Sequence, residues 1–387
     1  MIGVEAFSIP RLLLPVFTRL FLKPPPRQQR SCPQVRGFIG SVLQDLSYTR
    51  MEKIKDFIRG IPKAELHMHI EGCIEPDVMF ALAERNGIPL RWNSPEALRD
   101  AYKFNDLQSF LALYFEGCKV LVKKQDFYDV TFAYLERAHA ENVVRAELFI
   151  GPQTFTENGT PLSELMEGVL GAIHEAEKTL GISAGLIIST HRHRTEEEAL
   201  ELLDSIMPWK DRIIGIGMGG PEMPNPPSKF TTYFKTCRER GFRTCIHAGE
   251  EGPSDYVRQA IEQLQVDRID HGIACLSDAA LVTELVEKQI PLTVCPVSNL
   301  KLNVVSSLAS HPLRKLLDAG VKVSINSDDP PYFGAYINDN FIQSQAALGL
   351  TVDDIITLAR NSISSSFLPK DEINALISKL DVFMSGI

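Results

Sequence analysis

After Pro62 the chain repeats one pattern: a short apolar or β-branched run, a polar break, and then an amphipathic stretch of helical period. Uninterrupted Ile/Val/Leu runs that lead into helices are typical of parallel strands buried on both faces. The runs are Ala64–Ile70, Val143–Ile150, Ile182–Ser189, Arg212–Met218, Phe242–Ala248, Arg268–Ile273, Ile290–Pro296 and Val321–Asn326. Eight such units predict an α/β fold, a (β/α)8 TIM barrel, rather than an open doubly wound sheet.

The connection between the first and second runs is unusually long. It carries four helical patterns: Pro76–Asn86, Ser94–Tyr102, Leu107–Val122 and Phe127–Ala140. A helical insertion after strand 1, on the side where the strands end, predicts a lid over a site. None of the eight runs leads into G-x-G-x-x-G or G-x-x-x-x-G-K-[ST], so the common nucleotide-cofactor folds are excluded.

Charge and cysteine content narrow the class of protein. The 40 Lys and Arg residues stand against 49 Asp and Glu, which gives a net charge of −9. This balance argues against nucleic acid or an anionic membrane as the main partner. The seven cysteines form no C-x-x-C pair, which predicts reduced thiols in the core of a protein from a reducing compartment.

Residues 1–50 differ from the rest, because they hold seven Lys/Arg and two acidic residues. Their apolar patch is interrupted by Pro15 and Arg19, so it falls short of the roughly 18–20 clean residues that a membrane-spanning helix needs. We expect a basic leader over 1–50 and a single barrel domain over 51–387. The leader is either a mitochondrial or plastid transit peptide, a disordered tail on a cytoplasmic enzyme, or an extension upstream of a body that starts at Met51.

Reactive side chains gather at the predicted carboxyl ends of the strands, where TIM barrels carry their sites. His67 and His69 lie two apart on the first strand, so both imidazoles point to one face. His247 comes from the end of the fifth strand and Asp328 from the end of the eighth. Three neutral nitrogens and one carboxylate suit zinc and leave a position open for water, which predicts a catalytic metal site.

Two further groups lie close in sequence to these regions. Glu250 is three residues after His247, and the two small residues between them allow a sharp turn that brings its carboxyl group near the metal to move a proton. The alternative is an ordinary acidic residue at a helix N-terminus. His271, at the end of the sixth run, is predicted to hold the attacking water, with Asp270 as a structural partner.

A second H-x-H, His191-Arg-His193, follows the third run. The adjacent arginines would repel a divalent cation, so we expect a solvated loop, with a phosphate or carboxylate contact as the alternative. His69 and Glu71 form the H-x-E of the small zinc deaminases that act on flipped bases. That class is excluded because it needs a following P-C-x-x-C, whereas here Cys295-Pro296 has the reverse order and no second cysteine.

Five segments, in this order, resemble the adenosine/adenine deaminase family of the amidohydrolase superfamily. They are Ala64-Glu-Leu-His-Met-His-Ile-Glu-Gly72, His247-Ala-Gly-Glu-Glu-Gly252, Arg268-Ile-Asp-His-Gly272, Cys295-Pro-Val-Ser-Asn-Leu-Lys-Leu302 and Ser324-Ile-Asn-Ser-Asp-Asp-Pro330. The resemblance implies hydrolytic deamination of a 6-aminopurine, with zinc held by His67, His69, His247 and Asp328. It also implies Glu250 as the proton donor, His271 as the residue that assists the attacking water, and Asp329 as a substrate contact.

Within the family, the chain most resembles the adenine deaminase branch. Glu71 stands where nucleoside deaminases have Asp, and its extra methylene would crowd a ribose. The segments Asn299–Leu302 and Tyr332–Tyr336 also resemble that branch. The expected reaction is adenine plus water to hypoxanthine plus ammonia, by a zinc-activated hydroxide. Glu71 and Glu222 are the further substrate-binding residues that the resemblance implies.

Two positions depart from that branch, which resembles E-P-F-F-D-P-Q after strand 2 and G-L-D-S-S-E after strand 4. This chain has Gly151 and Gly219 in place of the two Asp. The absence of these two carboxylates should enlarge the rim of the substrate site or reduce its negative charge. An N6-substituted adenine is therefore a second candidate substrate. Adenosine and adenylate are the others, and the loop around His191 is the feature that favours a phosphate.

Two alternatives lie outside purine deamination. One is a purine-binding barrel without catalysis, although such a barrel would be expected to have lost some of the reactive residues. The other is a metal hydrolase for pterins or amides, which would share the metal site but not the Asp328-Asp329-Pro330 context. We expect a small-molecule purine as the partner, neither nucleic acid nor membrane, and the sequence does not set an oligomeric state.

Overall fold

Eight parallel strands lie at the positions of the eight apolar runs. In the computed structural model, which describes residues 52–386, each strand pairs with the next along the chain. The strands are β1 (Lys63–His69), β2 (Val143–Ile150), β3 (Ser183–His191), β4 (Ile213–Gly219), β5 (Arg243–Ala248), β6 (Arg268–His271), β7 (Leu292–Val294) and β8 (Val323–Ile325). Nearly all of their side chains are buried, which explains why the runs lack polar alternation.

The sheet closes between β1 and the segment after β8. The His69 N–H donates to the Asp328 carbonyl at 3.1 Å, and the Asp328 N–H donates to the His67 carbonyl at 3.1 Å. One step earlier, the Leu66 N–H donates to Asn326 Oδ1 at 2.8 Å. The predicted (β/α)8 barrel is confirmed, and its closure ties Asp328 to the strand that carries His67 and His69.

The insertion between β1 and β2 is helical, as the sequence predicts. Helix α1 (residues 52–60) precedes β1. The insertion contains α2 (Pro76–Asn86), α3 (Pro95–Ala101), α4 (Leu107–Cys118) and α5 (Lys124–Ala140). Asp106 caps α4, because its Oδ1 accepts the Ser109 N–H at 2.8 Å. Since α4 is strongly apolar and buries most of its side chains, it covers the mouth of the barrel as a lid.

The remaining helices follow β2 to β8. They are α6 (Pro152–Thr156), α7 (Leu162–Thr179), α8 (Glu196–Ser205), α9 (Thr231–Glu239), α10 (Ser254–Gln259), α11 (Ala279–Lys288), α12 (Pro296–Lys301), α13 (Leu313–Asp318), α14 (Pro330–Phe333), α15 (Ile337–Leu348), α16 (Val352–Ser364) and α17 (Lys370–Ser385). Helix α8 begins with a capping box in which Thr195 Oγ1 accepts the Glu198 N–H and Glu198 Oε2 accepts the Thr195 N–H. Five of these helices, α7, α8, α10, α11 and α13, lie in amphipathic stretches of the sequence.

Charged side chains pack inside the barrel, below its mouth. Arg268 and Glu147 are fully buried, and Arg268 Nη1 donates to Glu147 Oε2 at 2.6 Å. The Arg268 guanidinium also lies over the ring of Phe367, 4.2 Å from its centroid. On its other side, Arg268 Nε is 3.6 Å from Asp270 Oδ1. The network therefore places Asp270 directly beneath the histidines at the mouth.

Residues Ile54–Ile387 form one compact unit. Within the part of the chain that the structure describes, no helix is both long enough and apolar enough to cross a membrane. The six cysteines described are buried and free of disulfides. The basic leader predicted over 1–50 lies outside the described residues, so it stays a prediction.

Candidate active site

The four predicted metal ligands meet at the mouth of the barrel. His67 Nε2 lies 3.0 Å from His247 Nε2, and His69 Nε2 lies 3.2 Å from it. Asp328 Oδ1 is 3.4 Å from the Nε2 atoms of both His67 and His69. Ligand atoms of His67, His247, His271 and Asp328 also lie within 4.8 Å of one another, so His271 stands at the edge of the same cluster.

The chemistry of this cluster fits a cation. Burial lowers the pKa of His67 to about 4 and that of His247 well below its ordinary value, so both imidazoles are neutral at neutral pH and offer lone pairs. Burial alone would raise the pKa of Asp328, but the imidazoles around it, with a hydrogen bond from His69, hold it well below its usual range. Asp328 raises the pKa of His69, against the opposing effect of burial, so His69 and Asp328 share a proton that a cation would replace. Three imidazole nitrogens and an ionised carboxylate that converge on one point are suited to a divalent metal ion.

Hydrogen-bonding groups behind the histidines orient them toward this point. His67 Nδ1 lies 3.2 Å from Thr293 Oγ1, which itself donates to Asp270 Oδ1 at 2.8 Å. His247 Nδ1 lies 3.5 Å from Asp270 Oδ2. Contacts of this kind at one ring nitrogen leave the other free for a metal. Asp270 is therefore a supporting group, as the sequence predicts, and the buried Arg268 holds it in place.

Glu250 and His271 lie beside the cluster. Glu250 follows Gly249, whose φ of +73° makes the sharp turn after β5. Glu250 Oε2 is 3.6 Å from His271 Nε2, which in turn is 3.8 Å from Asp328 Oδ2. His271 and Asp328 also have positive φ, at 63° and 66°, a conformation that non-glycine residues adopt mainly where the surrounding structure imposes it.

The carboxyl groups of the site differ in protonation. Burial first, and then the charge of Asp328, raises the pKa of Glu250 well above its ordinary value. The same two causes raise the pKa of Asp329. The protonated forms of Glu250 and Asp329 are thus favoured next to the ionised Asp328. Carboxyl groups with such divergent pKa values mark an acid–base pairing.

Three buried carboxyl oxygens at the mouth have no hydrogen-bond partner: Glu71 Oε2, Glu250 Oε1 and Asp329 Oδ1. A buried polar atom without a hydrogen bond destabilises the folded state unless a ligand supplies that bond. All three residues line the same cleft. They therefore indicate where a polar ligand would bind.

The remaining wall of the cleft is apolar. Five residues of α4 and one after α12 form this wall: Leu107, Phe110, Leu111, Tyr114, Phe115 and Leu302. A flat ring would lie between this wall and the polar groups at the carboxyl ends of the strands. Sequence reasoning predicted a lid but did not identify these residues, although the apolar pattern of α4 carries the signal.

Gly72 allows Asp329 to approach β1 closely. A Cβ at position 72 would lie 2.6 Å from Asp329 Cγ and 2.7 Å from Asp329 Cβ, so no larger residue fits without moving this side chain. Tyr332, which follows in α14, is also buried and lies over Tyr102, with ring centroids 4.7 Å apart. Asp329 is thus positioned by close packing rather than by hydrogen bonds to its Oδ1.

Glu71 reaches the cleft and is held there by backbone. Its Oε1 accepts the Gly151 N–H at 2.6 Å, while its second oxygen remains available. Burial raises the pKa of Glu71. The structure therefore places this predicted substrate-binding residue on the cleft wall.

Glu222 is not among the residues that line the cleft. Its carboxylate instead accepts backbone N–H groups from the loop after β5: Gly249 at 2.6 Å, Glu250 at 3.1 Å, Glu251 at 2.9 Å and Gly252 at 2.8 Å. Both oxygens of the Glu222 carboxylate therefore bind that loop. The structure thus gives Glu222 a different location from the substrate contact predicted for it.

The prediction of a solvated loop at His191-Arg-His193 is wrong for its first two residues. His191 lines the cleft, with Nε2 3.1 Å from Thr154 Oγ1. Arg192 is fully buried and donates from Nη1 to the His247 carbonyl at 2.6 Å. Only His193 is exposed. The error arose because local charge suggests solvent, whereas the barrel brings this loop against the end of β5.

The two glycines that replace Asp have different surroundings. A Cβ at Gly151 would lie 2.9 Å from His191 Nε2 and 3.4 Å from Glu71 Oε1, so the space is already taken. A Cβ at Gly219 would make ordinary contacts of 3.6 Å with Ser189 Oγ and His247 Cε1. The predicted enlargement of the rim therefore applies to Gly219 and not to Gly151.

Comparison with known proteins assigns the family. The family model for adenosine deaminase matches residues 62–383, which is most of the chain. This chain belongs to the adenosine deaminase family. The resemblance found in the sequence is therefore confirmed, and the chain is a metal-dependent amidohydrolase whose buried His/Asp cluster lies at the mouth of the barrel.

Related proteins of this family match over nearly their whole length. An adenine deaminase from Rhodopseudomonas palustris (strain BisB18) is 59% identical over 335 residues, which cover 87% of this chain and 98% of that protein. The crystal structure of an adenine deaminase from Arthrobacter aurescens has a TM-score of 0.82 and 46% identity, over 84% of this chain and 99% of that one. An amidohydrolase from Burkholderia ambifaria, determined with bound Zn, has a TM-score of 0.79 and 28% identity, over 86% and 94%.

Proposed function

We propose that this chain catalyses the hydrolytic deamination of adenine to hypoxanthine and ammonia. The observation that carries the proposal is the meeting of His67, His69, His247 and Asp328, with 3.0–3.4 Å between their neighbouring ligand atoms, beside the buried acid Glu250. The related adenine deaminases support the choice of substrate. A small-molecule purine is the partner that a cleft of this polarity suits.

The metal in this proposal is zinc. The donor set of three imidazoles and one carboxylate suits this ion, and a relative was determined with bound Zn. When bound, zinc lowers the pKa of a water molecule toward about 7 and so supplies a nucleophile at neutral pH. His67, His69, His247 and Asp328 would hold it, and the groups behind His67 and His247 keep their Nε2 atoms turned toward it.

Different side chains carry out the individual proton transfers. Glu250, protonated because of its burial and the charge of Asp328, donates its proton to ring N1 as the oxygen of water adds to C6. His271 and Asp328 orient that water and accept its proton. Return of a proton to the exocyclic amine breaks the C6–N bond and releases ammonia. The raised pKa of Asp329 keeps its carboxyl protonated, so it donates a hydrogen bond to ring N7.

The position of Asp329 gives a first prediction. Gly72→Ala should displace the Asp329 carboxyl group and lower kcat/KM for adenine by up to about 10²-fold, because a shift of about 1 Å in a group that orients the substrate can cost that much. Metal content should stay at the wild-type level. Gly171→Ala is the control, since a Cβ there meets only Tyr128, at 3.6 Å. Wild-type kinetics for Gly72→Ala would contradict the role of Asp329.

Glu71 favours the free base over the nucleoside. Its carboxylate, fixed by the Gly151 N–H, occupies space at the wall of the cleft next to His191. Its unpaired oxygen can accept an N–H of the free purine ring, a donor that is absent once a ribose replaces that hydrogen. Such a site discriminates against adenosine in two ways. The Glu71 side chain crowds the ribose, and one Glu71 oxygen is left without a hydrogen-bond donor when adenosine binds.

The loop at His191 offers a poor phosphate site. Burial lowers the pKa of His191 to about 3, so its ring is neutral. The Nη1 of Arg192 is engaged by the His247 carbonyl, and Arg194 pairs with Glu157 and Glu198. Adenylate is therefore disfavoured. N6-substituted adenine remains a second candidate, because the open space at Gly219 borders the ring of His247.

A substrate panel tests these choices. We expect kcat/KM for adenine to exceed that for adenosine and adenylate by about 10²-fold or more, the range in which shape and unpaired polar groups discriminate. N6-methyladenine should react more slowly than adenine but faster than adenosine. The change in ultraviolet absorbance follows each reaction, and the released amine is measured as ammonia from adenine, adenosine and adenylate and as methylamine from N6-methyladenine. A preference for adenosine would contradict the role of Glu71, and absence of adenine turnover by the zinc-loaded enzyme would overturn the proposed function.

A further inference from the structure

We infer that Glu222 is a positioning residue for the proton donor Glu250, acting as an anionic clamp on the backbone of residues 249–252. The inference rests on the proposed function, because it concerns how Glu250 is held during adenine deamination. Glu222 follows β4, whereas the loop that it binds follows β5. The clamp therefore links the segments that follow two neighbouring strands, β4 and β5.

Four successive backbone amides converge on this one carboxylate. Glu222 Oε1 accepts the Gly249 N–H, and Oε2 accepts the N–H groups of Glu250, Glu251 and Gly252, all at 2.6–3.1 Å. Glu222 is 1% exposed, so these charge-assisted bonds form away from water. Successive N–H groups that point inward form an anion-binding concavity, and here the anion is supplied by the protein itself.

Apart from the bond of the Ala274 N–H to the Gly249 carbonyl at 3.0 Å, the backbone of residues 249–252 is bound mainly by Glu222. It contains glycine at both ends, and Gly249 has positive φ. The Glu250 carboxyl group has no hydrogen bond at Oε1, and its Oε2 lies 3.6 Å from His271, beyond ordinary hydrogen-bond length. The side chain of Glu250 is therefore directed mainly by the backbone that carries it. That backbone is fixed by Glu222.

A second buried charge fixes the strand just before the loop. Arg192 Nη1 donates to the His247 carbonyl at 2.6 Å, and Arg192 Nε donates to the Asn225 carbonyl at 3.0 Å. This cation holds the metal ligand, and the Glu222 anion holds the proton donor three residues later. The two functions of the segment are thus anchored by separate groups, so they can be perturbed separately.

The chain offers two ways to remove the clamp. Glu222→Gln keeps the size of the side chain but turns an acceptor into an NH2 group that faces backbone N–H donors. Gly252→Ala keeps the carboxylate but displaces it, because a Cβ there would lie 2.6 Å from Glu222 Oε1 and 2.7 Å from its Cδ. The same Cβ would lie 2.7 Å from Tyr256 Cδ2, so this ring must also shift. Gly252 is not among the glycines with positive φ, so alanine is compatible with its backbone.

Asp126 provides a matched control. It is a fully buried carboxylate that accepts the N–H groups of Val122 and Lys123 at 2.9 and 3.0 Å, and it also pairs with Arg85 and accepts from Asn86. It lies at the start of α5 and does not line the cleft. Asp126→Asn should lower Tm and leave kcat and KM for adenine unchanged. It therefore reports what the loss of a buried backbone clamp does when no catalytic group depends on it.

The test compares these variants as zinc-loaded enzymes. Glu222→Gln and Gly252→Ala should each lower kcat for adenine by about 10²-fold, the effect of moving a catalytic group by about 1 Å, with KM and metal content near the wild-type values. Glu222→Asp, which retains the charge, should recover part of kcat. If Glu222→Gln does not fold, Gly252→Ala decides the question alone.

Two results would overturn the inference. One is wild-type kcat in a folded variant that lacks the clamp. The other is a fall in kcat accompanied by an equal rise in KM or by loss of metal, which would show a general disturbance of the site. Failure of the wild-type enzyme to deaminate adenine would instead refute the proposed function, so the two failures are distinguishable.

Discussion

Glu250→Gln is expected to lower kcat for adenine by about 10²- to 10⁴-fold, the usual contribution of a general acid. Glutamine has nearly the same shape but no acidic proton to give to ring N1. The metal ligands are untouched, so the zinc content should stay at one ion per chain. Stopped assays of hypoxanthine formation, combined with metal analysis of the same samples, measure both quantities.

Glu262→Gln is the control for this substitution, because Glu262 is an exposed carboxylate that does not line the cleft. Its kcat should match that of the wild type. A Glu250→Gln enzyme with unchanged kcat would remove Glu250 from the proton transfer. A Glu250→Gln enzyme without metal would instead show that this carboxyl group helps to hold the ion.

Removal of the metal is expected to lower adenine turnover by more than about 10³-fold, since a bound ion contributes several kcal/mol to transition-state stabilisation. Dialysis against a chelator should therefore inactivate the enzyme, and stoichiometric zinc should restore it. His67→Ala should produce the same loss without recovery, because one of the three converging imidazoles is missing. Turnover and metal content are measured before and after zinc is added.

His139→Ala is the matched control, because His139 is exposed on α5 and away from the mouth of the barrel. It should bind zinc and turn over adenine like the wild type. Full activity in chelator-treated, metal-free protein would contradict the metal site. So would a His67→Ala variant that retains both its zinc and its turnover.

Local sequence determined much of the fold and part of the site. The unbroken apolar runs are a direct consequence of strands buried on both faces, and β2 matches its predicted bounds for this reason. Helix α2 also matches its predicted bounds, Pro76–Asn86. The spacing of His67 and His69 is equally local, since strand geometry alone turns both imidazoles to one side. Glu250 could be found because only two small residues, Ala248 and Gly249, lie between it and His247.

Tertiary structure decided the features that depend on residues from different strands. Nothing near Glu222 in the sequence shows that its carboxylate will meet four N–H groups after β5, and nothing near Arg192 shows that it will be buried under His247. The close approach of Gly72 to Asp329 likewise exists only because the barrel closes. Sequence periodicity reports which face of an element is buried, whereas the neighbours of a buried polar group are set by how the strands pack side by side.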